Sequence, residues 1–554
     1  MRARRECHSG PSRFPPAVWH VYALLTLLAM LEQPSLAVGA EVLVVCDPTL
    51  RPALEPWVAY RTAQGHRLTF IEPRGSVEDL PRRVQALARE RQATFIVLVG
   101  DAPGEASATS STIAAPHVPA KVNVHWGSEP ELISDAPYAD LDADGLPDVS
   151  IGRLPADNPE QLATIVRKTL AFERAPAGAW QRQLHFVAGA AGGGTWIDTA
   201  MESLARSILC ERIPPAYATT MTYASWTSPF CPPPPWANDY VLGRLTQGSL
   251  FWVYLGHGQR QFVDPIRVPR GYHNLLDAND LNRLRPSPVP PIALLMACYT
   301  GAIDDEEDCL AESLVTAPQG PVAAIAASRV TMPYGMSVLG LGLLDGYFRH
   351  HAPTLGQWLL QAKRRSVSAS RDDARSRALD ALSAALNPAG TDPADERREH
   401  ALMFNLLGDP LLVLPRLAAV ELDVPTSAVA AGVLEVRGTS PIDGLAHVEL
   451  VVRRDRLAFD YQPRRDYDES ATSLERFAHD YRRANDPRLA AVRVPTTGGR
   501  FSAQLPIGSE ARGPCHVRVL IVSPETCAVG ASDVTVDAPG PATATAGGEQ
   551  SPRR

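Results

Sequence analysis

The stretch Ser249–Phe262, SLFWVYLGHGQRQF, joins an apolar run to a histidine that stands between two glycines. The run has the length and composition of a strand that is buried on both faces of a parallel sheet. A second such run, PIALLMAC, ends at Cys298, 41 positions after His257, which leaves room for a β-α-β crossover. Because parallel strands end at one crevice, we expect His257 and Cys298 to emerge side by side or one strand apart.

The residue types at these two strand ends suit nucleophilic catalysis. A cysteine thiol, with a pKa of about 8.5, is only partly ionised at neutral pH, so a nearby imidazole helps to generate the thiolate. Gly258 leaves space beside the site, and we expect its backbone N–H and that of Cys298 to bind an oxyanion. Taken singly, Cys298 could instead be a buried structural thiol and His257 a hydrogen-bonded core histidine.

The rest of the chain predicts an α/β fold followed by a β domain. Apolar strands alternate with amphipathic helices in two series, 41–178 and 179–415, which is the pattern of a mostly parallel sheet flanked by helices. Short β runs separated by Gly, Pro, Thr and Ser then fill 416–538 and predict an immunoglobulin-like β-sandwich. The small, polar tail 539–554 is expected to be disordered.

Residues 1–40 have the features of a signal peptide: a basic leader, the apolar centre AVWHVYALLTLLAML and the small residues of SLAVGA. A membrane anchor is the alternative, although the apolar run is shorter than the roughly 20 residues that a spanning helix needs. We therefore expect a protein that is secreted or held at the cell surface, with no stable membrane span beyond this segment.

Loss of the leader leaves seven cysteines, and an odd number in an oxidising compartment indicates at least one free thiol. Cys298 is the thiol expected to stay reduced. Cys309 is either a second free thiol or a partner of Cys46. Two further pairs are close enough in sequence to form disulfides: Cys515 with Cys527, and Cys210 with Cys231.

Four segments around the strand ends follow in the order YLGHG, LMACYTGAID, LAESLV and GPVAAIAASRVT. With SDAPYADLDADGLPDVSIGRLPA before them and FNLLGDPLLVL after them, this set resembles the gingipain-type cysteine peptidases, family C25, whose fold is caspase-like. The resemblance covers roughly residues 41–414. It implies that Cys298 is the nucleophile and that His257 protonates the leaving amine before water hydrolyses the acyl-enzyme.

Two features depart from the family pattern. Some members place an acid ahead of the histidine to orient it or to line the specificity pocket. Asp198 is the first candidate for that acid, and a helix N-cap is its other interpretation. Arg260 stands where a small polar residue is more usual, which leaves the substrate preference open and raises the alternative of a degenerate enzyme.

The segment DLDADGLPD predicts a structural calcium site. Its alternating carboxylates converge on a hard cation, and the glycine allows a sharp turn. The bidentate glutamate of a complete EF-hand is missing, because Ile151 takes its place, and a solvated acidic turn is the alternative. No cofactor is expected for the chemistry itself. The predicted ligands are Asp140, Asp142, Asp144 and Asp148.

The charge distribution limits the choice of partners. The 554-residue chain has a formal net charge of -8 and no basic stripe with interleaved aromatic residues, which argues against nucleic acid as a partner. The family resemblance implies that the substrate is a protein or peptide. A second acidic run, DDEED at 304–308, is predicted to be a solvated loop near Cys298 that attracts basic substrates.

Three functions fit these features. The leading hypothesis is a secreted cysteine endopeptidase. A transpeptidase would use the same two residues, with an amine in place of water at the acyl-enzyme. A non-catalytic surface or adhesion protein would bind through the β-sandwich, and intact His257 and Cys298 argue against it.

Overall fold

The computed structural model describes residues 39–102, 112–190, 208–368 and 391–538. Its main feature is a ten-stranded sheet that contains strands of both α/β series. In spatial order the strands are β2 (Arg67–Ile71), β1 (Glu41–Cys46), β3 (Phe95–Val99), β6 (Ser150–Leu154), β14 (Phe404–Leu407), β13 (Ala323–Ala327), β12 (Ile292–Met296), β9 (Phe251–Leu255), β7 (Gln183–Ala188) and β8 (Ala218–Tyr223).

Strands of the same series run parallel, except that β14 is antiparallel to β13. The two series meet where Leu407 of β14 pairs with Arg153 of β6. Every residue of β3, β12 and β13 is buried. Burial on both faces explains why these strands appear in the sequence as continuous apolar runs.

Helices pack on the two faces of the sheet, over three hydrophobic clusters, and β9 contributes to two of them. Alternate residues of β9 divide between them: Trp252 and Tyr254 belong to one cluster, and Phe251 and Val253 to the other. The helices are α1 (Arg51–Ala63), α2 (Asp79–Arg91), α3 (Pro159–Glu173), α4 (Ala237–Thr246), α5 (Leu310–Thr316), α6 (Pro333–Phe348), α7 (Leu355–Ser368) and α8 (Pro393–Met403).

The crossover from β9 to β12 differs from the prediction. Instead of an α-helix it contains a hairpin of β10 (Ile266–Val268) and β11 (Gly271–His273), followed by a 3-10 helix at Ala278–Arg283. Asp277 caps that short helix by accepting the Asn279 N–H. A second hairpin, β4 (His117–Pro119) with β5 (Glu131–Ile133), precedes β6.

A β domain of two sheets follows the α/β part, which is consistent with the predicted immunoglobulin-like sandwich. One sheet has the order β15-β23-β22-β19-β20, with β17 paired to β23, and the other has the order β16-β18-β21. The strands are β15 (Ala418–Ala419), β16 (Glu421–Asp423), β17 (Ser427–Val429), β18 (Val433–Thr439), β19 (Gly444–Val452), β20 (Arg488–Thr496), β21 (Arg500–Pro506), β22 (Gly513–Val522) and β23 (Cys527–Asp537).

A helix that the sequence analysis missed, α9 (Ala471–Ala484), lies between β19 and β20 and covers the β8 edge of the main sheet. Its Phe477 belongs to the main hydrophobic core, and the Tyr481 hydroxyl is 2.7 Å from that of Thr222. The Asn485 side chain bonds both the N–H and the C=O of Met221. The β domain is therefore fastened to the α/β part, and it protects a sheet edge that would otherwise be open to pairing.

Nearly all of the predicted signal peptide 1–40 and the whole of the predicted tail 539–554 lie outside the described residues. Within the described ranges, no helix combines the length and hydropathy that crossing a bilayer requires.

Candidate active site

The two strands that end near His257 and Cys298 are direct neighbours. Strands β9 and β12 pair in parallel register, with Leu255 opposite Met296. His257 and Cys298 each follow their strand by two residues. The two side chains therefore leave adjacent strand ends at the same edge of the sheet, which is the closer of the two predicted arrangements.

Gly258 packs directly against the cysteine loop. A Cβ at this position would lie 2.8 Å from the carbonyl oxygen of Cys298 and 2.8 Å from Cγ2 of Thr300, so no other residue fits without a shift. Among the backbone hydrogen bonds within the described ranges, none is donated by the N–H of Gly258 or of Cys298. Both predicted oxyanion donors are thus available to a ligand.

Hydrogen bonds fix the backbone of His257, whereas its side chain is exposed. Its carbonyl oxygen accepts the Tyr254 hydroxyl at 2.7 Å and the Asp264 N–H at 3.2 Å. Burial raises the pKa of Tyr254 well above its usual value, so the hydroxyl remains a donor. Asp198, the candidate orienting acid, lies outside the described residues.

The Cys298 sulfur is half-buried and meets a residue that the sequence analysis did not select. The Thr331 N–H donates to Cys298 Sγ at 3.2 Å, and Thr331 Oγ1 lies 3.4 Å from the same atom. The Cys298 sulfur therefore has polar contacts on its Thr331 side. Thr331 follows β13, the strand next to β12, and this adjacency is the signal that could have identified it.

A buried histidine supports the Thr331 loop from behind. His400 Nε2 accepts the Met332 N–H at 3.0 Å, and His400 Nδ1 bonds the Glu396 carbonyl oxygen at 2.8 Å. Burial lowers the pKa of His400, and a neutral ring with its proton on Nδ1 satisfies both contacts. The Asn123 amide also donates to the Val330 carbonyl oxygen at 2.5 Å.

Tyr299, next to the nucleophile, adopts a left-handed backbone with φ of 56°. Such a conformation is costly for a bulky residue and is found mainly where surrounding contacts enforce it. Here the Tyr299 N–H donates to the Arg329 carbonyl oxygen at 3.2 Å. The Tyr299 hydroxyl donates to Glu129 at 2.8 Å, and the Arg260 guanidinium lies 5.3 Å from the centre of its ring.

Arginines and carboxylates near Tyr299 form a connected set of ion pairs. Arg260 pairs with Asp305 at 2.7 Å and with Glu129 at 3.4 Å. Arg329, which is 3% exposed, pairs with Asp304 through two contacts of 2.7 and 3.0 Å. The prediction of a solvated loop is therefore wrong for the start of DDEED, because these carboxylates bind arginines of other segments.

Comparison with protein families adds an independent observation. The model of Peptidase family C25 matches residues 35–415, a range that contains both strand ends and more than half of the chain. The chain belongs to peptidase family C25. It is therefore a cysteine peptidase by family, and a comparison with curated protein sequences gives no match.

Two solved structures are similar to this C25 peptidase along most of its length. The Arg-specific cysteine proteinase gingipain R is 16% identical, with a TM-score of 0.50, over 90% of this chain and 99% of that one. A structure described only as a protease is 14% identical, with a TM-score of 0.51, over 92% and 100%. At these identities the likeness shows the fold, which is caspase-like as predicted.

The predicted disulfides of the C25 peptidase are wrong. Cys515 lies opposite Val534 and Cys527 opposite Val522, at the two ends of the β22–β23 ladder. Seven residues of strand span about 23 Å, whereas the Cα atoms of a disulfide are roughly 4.4–6.8 Å apart. Nor does a disulfide join Cys210 to Cys231 or Cys46 to Cys309.

Cys298 differs from three other cysteines of the C25 peptidase in burial, not in disulfide formation. Cys46, Cys231 and Cys309 are each 0% exposed. Burial raises the pKa of Cys46 and of Cys231 to about 12 each, and that of Cys309 well above its usual value. These thiols stay protonated and shielded, so they do not compete with Cys298 as nucleophiles.

Three of the four predicted calcium ligands lie close together. The carboxylates of Asp140, Asp142 and Asp148 approach one another within 4.8 Å, and Asp140 Oδ1 is buried without a hydrogen-bond partner. Asp144 instead accepts the N–H of Leu146 at 2.8 Å. Asp148 already pairs with Arg364 at 2.6 Å, and this cation offsets part of the negative charge of the site.

Proposed function

We propose that this C25 peptidase is a secreted endopeptidase that cleaves peptide bonds with Cys298 as nucleophile and His257 as general acid and base. The observation that supports this most is the direct pairing of β9 with β12, which sets the two residues on adjacent strand ends. The polar contacts of Thr331 with Sγ support the position of the sulfur at this strand end.

In the proposed reaction, the Cys298 thiolate attacks the carbonyl carbon of the substrate, and the carbonyl electron pair moves to oxygen. The N–H groups of Gly258 and Cys298 bind that oxyanion. His257 gives a proton to the amine as the C–N bond breaks, which leaves an acyl-enzyme. Water then adds to the thioester, its proton passes to His257, and the thiolate leaves with the acid product released.

A test of this proposal uses a peptide blocked at both ends, so that only internal cleavage gives products. Mass spectrometry should detect two fragments, each larger than a terminal residue or dipeptide. Cleavage with an added amine nucleophile separates hydrolysis from transpeptidation, because only the latter places the amine on the new carboxyl end. Absence of internal cleavage over a diverse peptide library would rule out the endopeptidase assignment.

Secretion is proposed from the leader at 1–40. Protein recovered from the culture medium should begin near Ala37 or Ala40, as N-terminal sequencing would show. Retention of the intact leader in a membrane fraction would instead support the anchor alternative.

The DLDADGLPD loop is proposed to hold a structural calcium through Asp140, Asp142 and Asp148. The unpartnered Asp140 Oδ1 supports this, and the Asp148–Arg364 pair weakens it. Calcium here would stabilise the loop and take no part in the chemistry. Loss of one bound calcium in the Asp142→Asn variant would support the site, and unchanged metal content would exclude it.

A further inference from the structure

One side of helix α8 carries three buried side chains that accept hydrogen bonds from backbone N–H groups of other segments. Glu399 and His400 follow Glu396 by three and four positions, a spacing that makes them neighbours on the helix surface. None of the three is more than 4% exposed. We name Glu396, Glu399 and His400 the α8 face. Its partners lie in two loops, and both loops contact the turn at Cys298 and Tyr299.

The first loop follows β13 and contains Thr331, which bonds the sulfur of the proposed nucleophile. His400 Nε2 accepts the Met332 N–H at 3.0 Å. Glu396 Oε1 accepts the Gly335 N–H at 2.8 Å. A Cβ at Gly335 would overlap the His400 ring, so the loop packs against the imidazole as well as bonding to it. The α8 face therefore fixes the backbone directly after Thr331.

The second loop joins β4 to β5. Glu399 accepts the three consecutive N–H groups of residues 121–123, the last two at 2.8 Å each. Successive backbone N–H groups that point to one place form a favourable site for a carboxylate. Further along the same loop, Glu129 accepts the Tyr299 hydroxyl at 2.8 Å. The α8 face thus also fixes the loop that contacts the residue after the nucleophile.

Asn123 connects the two loops to each other. Its side-chain amide donates to the carbonyl oxygen of Val330, the residue before Thr331, at 2.5 Å. Its backbone N–H is one of the three that Glu399 accepts. Asn123 is 0% exposed, so water does not compete for these contacts. The α8 face and the two loops therefore form one hydrogen-bonded unit around the turn.

We propose that the α8 face positions the turn at Cys298 and Tyr299 for catalysis. The left-handed backbone of Tyr299 persists only where its surroundings enforce it, and a catalytic group must be held within roughly 0.5 Å of its productive place. His400 and Glu399 meet this need as positioning residues, each through one loop. This inference rests on the proposed role of Cys298 as the nucleophile.

The main test compares kcat and KM of His400→Leu and His400→Gln with those of the parent protein. Leucine leaves the buried Met332 N–H without an acceptor, so the loop should shift. Because a misplaced nucleophile slows the chemical step, kcat should fall at least about tenfold while KM changes less than about threefold. Glutamine offers Oε1 as an acceptor in place of Nε2 and should restore kcat to within about threefold of the parent value.

His185→Leu is the matched control. His185 is also buried and bonds Thr220 Oγ1 at 2.6 Å, but it lies in β7. Its replacement should leave kcat at the parent value, whatever its effect on the Tm. A role of His400 in stability alone would likewise lower the Tm without lowering kcat.

Hydrogen exchange followed by mass spectrometry tests the positioning without any need for activity. Peptides that contain Tyr299 or Met332 should exchange at least about tenfold faster in His400→Leu and at the parent rate in His185→Leu. Glu399→Gln tests the second loop with a side chain of the same size, and it applies even if His400→Leu does not fold. Its amide NH2 replaces one acceptor, so kcat should fall about fivefold.

Parent values of kcat in both His400→Leu and Glu399→Gln would overturn the proposal. So would an equal loss of kcat in His185→Leu, no recovery in His400→Gln, or unchanged exchange around Tyr299 in His400→Leu. A parent protein that cleaves no peptide would instead refute the proposed function, and this outcome is distinct because the exchange measurement does not depend on cleavage.

Discussion

Cys298 and Cys309 stand eleven positions apart at the two ends of one loop, and the regions around them are opposite in character. At Cys298 the sulfur is half-buried in the strand-end crevice and meets the N–H and hydroxyl of Thr331. At Cys309 the thiol is fully buried in the main hydrophobic cluster, where burial raises its pKa well above the usual value.

The difference teaches that surroundings, not residue type, decide which thiol can act. Both cysteines occupy one short segment, and sequence alone leaves Cys309 as a second reactive thiol or a disulfide partner. The Cys298 sulfur is partly exposed and has polar contacts, whereas the apolar enclosure of Cys309 keeps that thiol protonated. Activity should therefore be sensitive to small chemical changes around Cys298. Stability should be sensitive to changes of side-chain volume around Cys309.

The largest loss of activity is expected when the proposed nucleophile, Cys298, is replaced. Cys298→Ala should lower kcat/KM for an end-blocked peptide by ~10³-fold or more, because no other described thiol replaces it. His257→Ala should cause a loss of similar size. The double variant should be no worse than either single variant, since the two residues act as a unit.

Circular dichroism and melting curves of both variants should match the parent, which separates chemistry from folding. Full activity in Cys298→Ala would remove the assigned nucleophile and, with it, the contrast between the two thiols.

Gly258→Ala tests the close approach of the histidine and cysteine loops. Its Cβ would lie 2.8 Å from the Cys298 carbonyl oxygen, so the loops must separate. Overpacking of this kind costs about 1–3 kcal/mol, and we expect kcat/KM to fall about 10- to 100-fold through displaced oxyanion donors.

Gly243→Ala is the matched control, because no atom lies within 4 Å of its Cβ. It sits inside α4, where alanine is favoured over glycine by up to about 1 kcal/mol. It should keep full activity and melt no lower than the parent. Equal losses in both variants would mean that the approach at Gly258 is not what matters.

Thiol labelling compares the two regions in one sample. Brief treatment with iodoacetamide, followed by peptide mapping, should modify Cys298 at least about tenfold faster than Cys309, since the reaction needs an accessible thiolate. In denaturant the two rates should converge, because burial then no longer protects Cys309. Preferential labelling of Cys309 in the native protein would reverse the comparison.

Much of this arrangement could be predicted from the sequence because it depends on local patterns. The apolar runs in the sequence indicated β9 and β12. Because parallel strands end at the same edge of a sheet, His257 was expected close to Cys298. Contacts between distant segments had no such signal. Asp101 and Asp308 approach each other although they are about 200 positions apart in the chain, and α9 interrupts a run of strands. The disulfide predictions failed because closeness in sequence does not fix closeness across a β ladder.

The smallest expected effect concerns the hydroxyl of Thr331. Thr331→Val keeps the shape and the N–H that donates to Cys298 Sγ at 3.2 Å, and removes only the hydroxyl contact at 3.4 Å. A single hydrogen bond contributes about 1 kcal/mol, so kcat/KM and the labelling rate of Cys298 should both fall about fivefold. Thr331→Ser, which retains the hydroxyl, should stay close to the parent. If valine and serine behaved alike, the backbone N–H alone would account for the polar surroundings that distinguish Cys298 from Cys309.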